Sequence, residues 1–211
     1  ALGAVLVVDD GVRAHGRPAR AAPFAYQVPS PPRGLARQVN AGAAASRSPR
    51  LLFLHADTRL PADADARVAR ALARAPWGRF DVRIDGRSRW LPLVAALMNL
   101  RSRLTGIATG DQAIFVRRDA FDRIGGFPDQ PLMEDVEISR RLRAIGRPAC
   151  LRARVVTSGR RWDAHGAWRT LRLMWRLRWR YWRGASPQSL AERSEERREG
   201  KECRYRCSPY H

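Results

Sequence analysis

Residues 51–58, Leu51-Leu52-Phe53-Leu54-His55-Ala56-Asp57-Thr58, set a short unbroken apolar run directly against a polar turn that carries a carboxylate. Four consecutive apolar side chains leave no polar face, so the run suits a strand buried on both sides of an α/β sheet. The same design occurs upstream, where Ala4 to Val8 runs into Asp9-Asp10-Gly11. Two buried strands that both end in acids bring carboxylates to one edge of a sheet, the edge at which open α/β folds bind ligands.

The chain around these strands alternates in the same sense. Residues 12–34 contain Pro18, Pro23, Pro29, Pro31 and Pro32, which forbid a long helix and leave a loop with one short strand near Tyr26 to Val28. Leu35 to Ala45 consists of good helix formers. Pro61 to Ala75 reads as a helix whose Asp63 and Asp65 complement the macrodipole. A strand at Phe80 to Ile84 precedes an amphipathic helix at Leu91 to Leu104, with Pro92 in its first turn. Thr105 to Gln112 is a loop leading into a strand at Ala113 to Arg117. A short helix, Asp119 to Ile124, stops at Gly125-Gly126, and a longer one, Met133 to Ile145, closes at Gly146. Cys150 to Thr157 reads as the last strand. Strands alternating with helices predict the α/β class with a mainly parallel sheet.

The length, 211 residues, suits one domain with a real core, and a hydrophobic content of 45% excludes a wholly disordered polybasic chain. The formal net charge is +20. Lys201 is the single lysine, so the excess is almost entirely arginine and reflects composition as much as function. Charge bears on partners before fold, and a non-catalytic nucleic-acid-binding protein is the alternative reading it raises. Cys150, Cys203 and Cys207 have no metal-ligand spacing, which suits a reducing compartment. The apolar stretch from Leu91 to Leu100 is too short for a membrane span, and the start has no charged n-region or cleavage site of a signal peptide.

Trp168 to Arg183 is the most biased segment. On a helical wheel Trp168, Trp175, Trp179 and Trp182 share one sector, flanked by Arg169, Arg172, Arg176, Arg180 and Arg183. Either this helix lies in a bilayer interface, on an anionic membrane surface, or its Trp face caps the core. From Glu192 onwards usage changes abruptly, with most of the glutamates, the lysine and two cysteines, so residues 191–211 read as a foreign-looking charged tail.

The carboxylates carry the chemistry. Asp9, Asp10 and Asp57 could hold a divalent cation against phosphates and fix a nucleotide, and His55 is a metal ligand or a turn residue. Glu134, Asp135 and Glu137 open a helix, as the macrodipole favours, and one of them facing a cleft would serve as a general base. Arg160, Arg161 and Trp162 follow the last strand, where arginine could neutralise a diphosphate and tryptophan could stack on a sugar.

In order, V-L-V-V-D-D-G, R-G-L-A-R-Q-V-N-A-G-A-A, L-L-F-L-H-A-D-T, A-T-G-D-Q-A-I-F-V-R-R, G-G-F-P, P-L-M-E-D-V-E-I-S-R-R-L and S-G-R-R-W resemble family 2 glycosyltransferases of the GT-A fold. The resemblance spans about residues 4–190 and looks closest to a bacterial subgroup with members labelled as arsenosugar-biosynthesis glycosyltransferases. It implies inverting transfer from a nucleotide-sugar donor to an acceptor hydroxyl, with Mg²⁺ or Mn²⁺ bridging the diphosphate. By position, Asp9 and Asp10 match the acidic pair that contacts the nucleotide. Asp57 matches the final acid of the D-x-D element, with His55 in place of its first acid. Asp135 matches the catalytic base, with Glu134 beside it. Arg33 or Arg37 would contact the nucleotide, and Gly110, Asp111 and Gln112 match the loop that meets the sugars. Arg160 or Arg161 would steady the departing nucleoside diphosphate, near Trp162.

The chain departs from the family at Val12, in its Pro-rich 12–32 stretch, and at Ser158, where processive relatives carry Gln. It also resembles a member that lacks the first strand, a loss that can leave a fragment inactive. The expected location is cytoplasmic, or peripheral at the inner face of the cell membrane, with residues 1–167 as the catalytic domain and 168–190 as the Trp/Arg helix.

Overall fold

The computed structural model describes residues 5–9, 25–29 and 35–191. Asp10 and Arg33 lie outside them, as does the charged tail from Glu192 onwards. Strands β1 (Val5–Asp9) and β2 (Ala25–Pro29) pair in parallel. Helix α1 (Leu35–Ala45) follows, then β3 (Arg50–Leu52), β4 (Thr58–Arg59), α2 (Ala64–Leu72), β5 (Trp77–Asp85) and α3 (Leu91–Thr105). A 3₁₀ turn at Gly110–Gln112 leads to β6 (Phe115–Arg117), α4 (Arg118–Arg123), α5 (Glu134–Ile145), β7 (Ala149–Ser158), α6 (Arg160–His165) and α7 (Ala167–Trp182).

The chain is a mixed α/β protein, and its main sheet corrects the expectation of a mainly parallel one. The strand order is β3-β6-β5-β7-β4. Only β5 and β7 pair in parallel, whereas β3 with β6, β6 with β5, and β4 with β7 are antiparallel. Because β3 and β5 are each antiparallel to β6, they point the same way. The crossover through α2 does connect two co-directional strands, but β6 has been inserted between them. Alternation along the chain predicts direction and leaves the neighbours open.

Alternate residues of β6 and of the segment entering it serve different cores, as a two-residue period requires. Ala113 and Phe115 join a cluster with α2, α3 and Trp162, while Ile114 and Val116 join α1, α4 and α5. A helical layer therefore covers each face of the sheet. On the second face Asn40 of α1 acts as a backbone mimic. Its amide donates to Phe127 O (2.8 Å) and accepts from Phe127 N–H (2.9 Å), which anchors the loop that enters α5. Gly126 makes room for this, since a Cβ there would lie 2.8 Å from Asn40 Oδ1.

A polar network is enclosed on the first face. Arg79 is wholly buried on β5 and ion-paired with Asp81, which also accepts from Arg103 Nη2 (2.6 Å). Asn99 on α3 accepts from Val82 N–H (2.9 Å) and donates to Val82 O (3.0 Å), replacing a neighbouring strand where the short β6 has ended. Gln112 Nε2 donates to Asn99 Oδ1 (3.3 Å), which ties the 3₁₀ turn to this network.

Helices α3 and α7 differ from expectation. Leu91, Val94, Ala95 and Met98 bury one side of α3, but Leu93, Leu97, Leu100 and Leu104 are exposed on the other. The helix is apolar on two faces instead of amphipathic. In α7, Leu171 and Met174 pack on the core, while Trp168, Trp175, Trp179 and Trp182 are 49%, 63%, 56% and 81% exposed. The Trp row therefore does not cap the core.

Candidate active site

Three segments meet beside the sheet edge. The 53–57 loop continues from β3 and is fixed to the β6 segment where Phe53 N–H donates to Ile114 O (2.8 Å). The 108–112 loop is clamped to α5 through Ser139, whose Oγ accepts from Ala108 N–H (3.1 Å) and donates to Asp135 O (2.7 Å). The third segment is the N-terminus of α5 itself. Asp135 Oδ2 accepts from Gly110 N–H (3.2 Å) and Oδ1 from Val136 N–H (2.7 Å), so the carboxylate is held in one orientation with lone pairs to spare.

His55 stacks its ring edge against Gly110 so closely that a Cβ could not be placed there. His55, Gly110 and Asp135 thus come from three separate segments to one point. Two non-glycine residues with left-handed backbone flank the meeting place, Met133 (φ 65°) just before Glu134 and Ala113 (φ 47°) just after the 3₁₀ turn. Such conformations cost of order 1–3 kcal/mol each and concentrate at functional sites.

Glu134 is half-buried beside Asp135. Burial raises its pKa from the ordinary glutamate value, the Asp135 charge adds to this, and a backbone hydrogen bond and then His55 oppose it. A carboxyl whose folded pKa is raised stabilises the fold fully below its unfolded pKa, and that contribution is lost as pH rises through the folded value. Glu134→Gln is therefore expected to melt at the same temperature as wild type near pH 4 and at a higher temperature at pH 7. Calorimetry across that range checks it, and equal melting at both pH values would refute a strained carboxylate.

Asp57 lies on the turn closed by Thr58 N–H to His55 O (3.0 Å). Thr58 pairs with Thr157 in the β4–β7 register, so Asp57 falls opposite Ser158 at the end of β7. Arg160 is at the same end, where its Nε donates to Ser158 Oγ (3.1 Å). Asp57 is exposed and unpartnered among the described residues, whereas Asp63, Asp119, Asp129 and Glu137 are each paired with an arginine. The turn from His55 to Thr58 thus joins the Asp135 group to the Asp57 and Arg160 group.

Other expected site residues have different positions. Trp162 is a core residue, 7% exposed within the first cluster, so its ring is not available to stack on a sugar. Gln112 is wholly buried, its carbonyl accepting from Thr109 N–H (3.2 Å) and its amide donating to Asn99. It shapes the loop from behind, and a ligand in solvent cannot touch it. Arg37 forms a bidentate fork on Asp129 (2.8 Å), tying α1 to the loop before α5. Asp111 is half-buried on the 3₁₀ turn beside Gly110. Asp9 ends β1, and Arg161 lies in α6.

Arg101 was not singled out in the sequence. Its Nε and Nη2 are shielded from solvent with no partner among the described residues. Burial, and after it Arg178, push its guanidinium down to about 10, while Asp135 acts in the opposite direction. These two nitrogens have no hydrogen-bond partner among the described residues, and Asp135 is the acid that favours the guanidinium charge. Among so many arginines its spacing carried no signal.

Among the described residues no group of three or more His, Cys, Asp or Glu is gathered to hold a metal ion. Asp57 offers a free hard oxygen ligand, and Mg²⁺-type sites use one or two carboxylates together with substrate phosphates. His55 faces Gly110 and serves the loop packing. No protein-family model matches the chain, and no curated protein sequence matches it.

Proposed function

We propose that this chain is a GT-A-type glycosyltransferase that moves a sugar, with inversion, from a nucleotide-sugar donor to an acceptor hydroxyl. The observation that carries the reading is the oriented Asp135 carboxylate at the meeting of the 53–57, 108–112 and α5 segments. Asp135 takes the acceptor proton as the hydroxyl attacks. Glu134, kept closer to neutrality, limits the negative charge beside it. Asp57 would hold Mg²⁺ or Mn²⁺, which supplies charge neutralisation to the diphosphate. Arg101 and Arg160 offer positive charge to the leaving nucleoside diphosphate.

Thermal-shift measurement with nucleoside diphosphates and Mn²⁺ tests the reading. Saturation near 100 times Kd stabilises by about 2.7 kcal/mol, a rise of roughly 5 °C or more for a chain of this size. Asp57→Ala should abolish the Mn²⁺-dependent part. No shift with any nucleoside diphosphate, with or without Mn²⁺, would reject the proposal.

A further inference from the structure

We infer that α3 and α7 together form a face that docks on an anionic phospholipid bilayer, independently of the chemistry proposed above. The two helices lie side by side in the same direction. Trp90, immediately before α3, meets Trp168 of α7 edge-on at 5.4 Å between ring centroids. About three turns further along both, Arg101 and Arg178 interact electrostatically. Their inner faces, with Met98 of α3 and Met174 of α7, bury into one core cluster.

Their outer faces therefore point away from the same core. On α3 the outward row Leu93, Leu97, Leu100 and Leu104 spans a sector of only about 60°, and Leu104 is 77% exposed. On α7 the Trp row occupies a sector of similar width. Apart from Leu35 and Leu54, every large hydrophobic side chain exposed among the described residues belongs to these two rows or to Trp90. Scattered exposed apolar residues are ordinary, whereas a contiguous patch of this size marks an interaction surface.

The composition of the face identifies the partner. Arg169, Arg172, Arg176 and Arg183 are exposed along one flank of the Trp row, and the Arg183 guanidinium sits 4.7 Å over the Trp179 ring. Indole rings prefer the headgroup level, and an adjoining arginine row meets lipid phosphates there. At 16 residues α7 is roughly 24 Å long and studded with arginine, so it lies along a bilayer surface. No described helix is long and apolar enough to cross a membrane.

Co-sedimentation of the full chain with phosphatidylcholine vesicles, with and without about 30% phosphatidylglycerol, tests this, because each arginine near such a surface adds about fivefold to partitioning. Binding should require the anionic lipid, weaken in high salt and shift Trp emission to the blue. Trp179→Ala/Trp182→Ala and Leu100→Ser/Leu104→Ser should each lower partitioning by at least about tenfold. These positions are all more than half exposed, so circular dichroism and melting should match wild type. Absence of binding to anionic vesicles would overturn the inference, as would unchanged binding by both variants. So would a concentration-dependent dimer that the same substitutions dissolve, since a second copy would then cover the face.

Discussion

Asp135→Asn is expected to lower sugar transfer by at least about 100-fold while nucleoside-diphosphate binding stays within a factor of about two. The substitution is nearly isosteric. Asp135 receives Gly110 N–H and Val136 N–H on different oxygens, so the single amide oxygen keeps one of these bonds, while the Ser139 clamp on Ala108 still fixes the loop. What disappears is the basic lone pair that takes the acceptor proton. Donor binding is assigned to other groups, Asp57, Arg101 and Arg160, and should survive. Transfer assays beside calorimetric titration of a nucleoside diphosphate separate the outcomes. Loss of binding would reassign Asp135 to donor contact, and unchanged transfer would remove it from the chemistry. Glu134→Gln, which leaves Asp135 in place, should have the smaller effect on transfer.

Much of the local structure was legible because its causes are local. The helix at Leu35–Ala45 has the bounds its composition suggests, and α5 begins and ends where Glu134, Asp135 and Gly146 signal. The loop carrying Gly110 and Asp111 and the turn carrying Asp57 also fell where read. The rest depends on contacts between distant residues. The place of β6 between β3 and β5 is a choice of partner that alternation along the chain does not encode. Arg37 finds Asp129, 92 residues away, and so is drawn into a structural fork. Trp162 follows two arginines, which suggests an accessible stacking ring, yet α6 turns it into the core. The left-handed backbone at Met133 and Ala113 carried no sequence signal, because such positions usually announce themselves through glycine or asparagine.

Asp81→Ala should be the most destabilising single change among the polar residues behind the site, costing about 3–5 kcal/mol. Arg79 is fully buried and cannot reach solvent when its partner goes, and its remaining bonds run to the neutral carbonyls of Phe80 and Asn99, both at 3.2 Å. Arg103, by contrast, is exposed and can turn towards water. An uncompensated guanidinium beside Asn99 would also pull on the Asn99–Gln112 bond that holds the 109–112 turn, and hence on Gly110 and Asp135. Chemical denaturation should therefore find a large loss of stability together with weaker transfer. In Arg79→Met/Asp81→Leu the buried charge is gone and apolar volume fills the same space, so much of the lost stability should return. If Asp81→Ala were nearly neutral, or if the double variant were less stable still, the pair would be holding the fold by something other than charge compensation. Recovery of stability with restored transfer would instead mark the network as support for the loop, with no part in the chemistry.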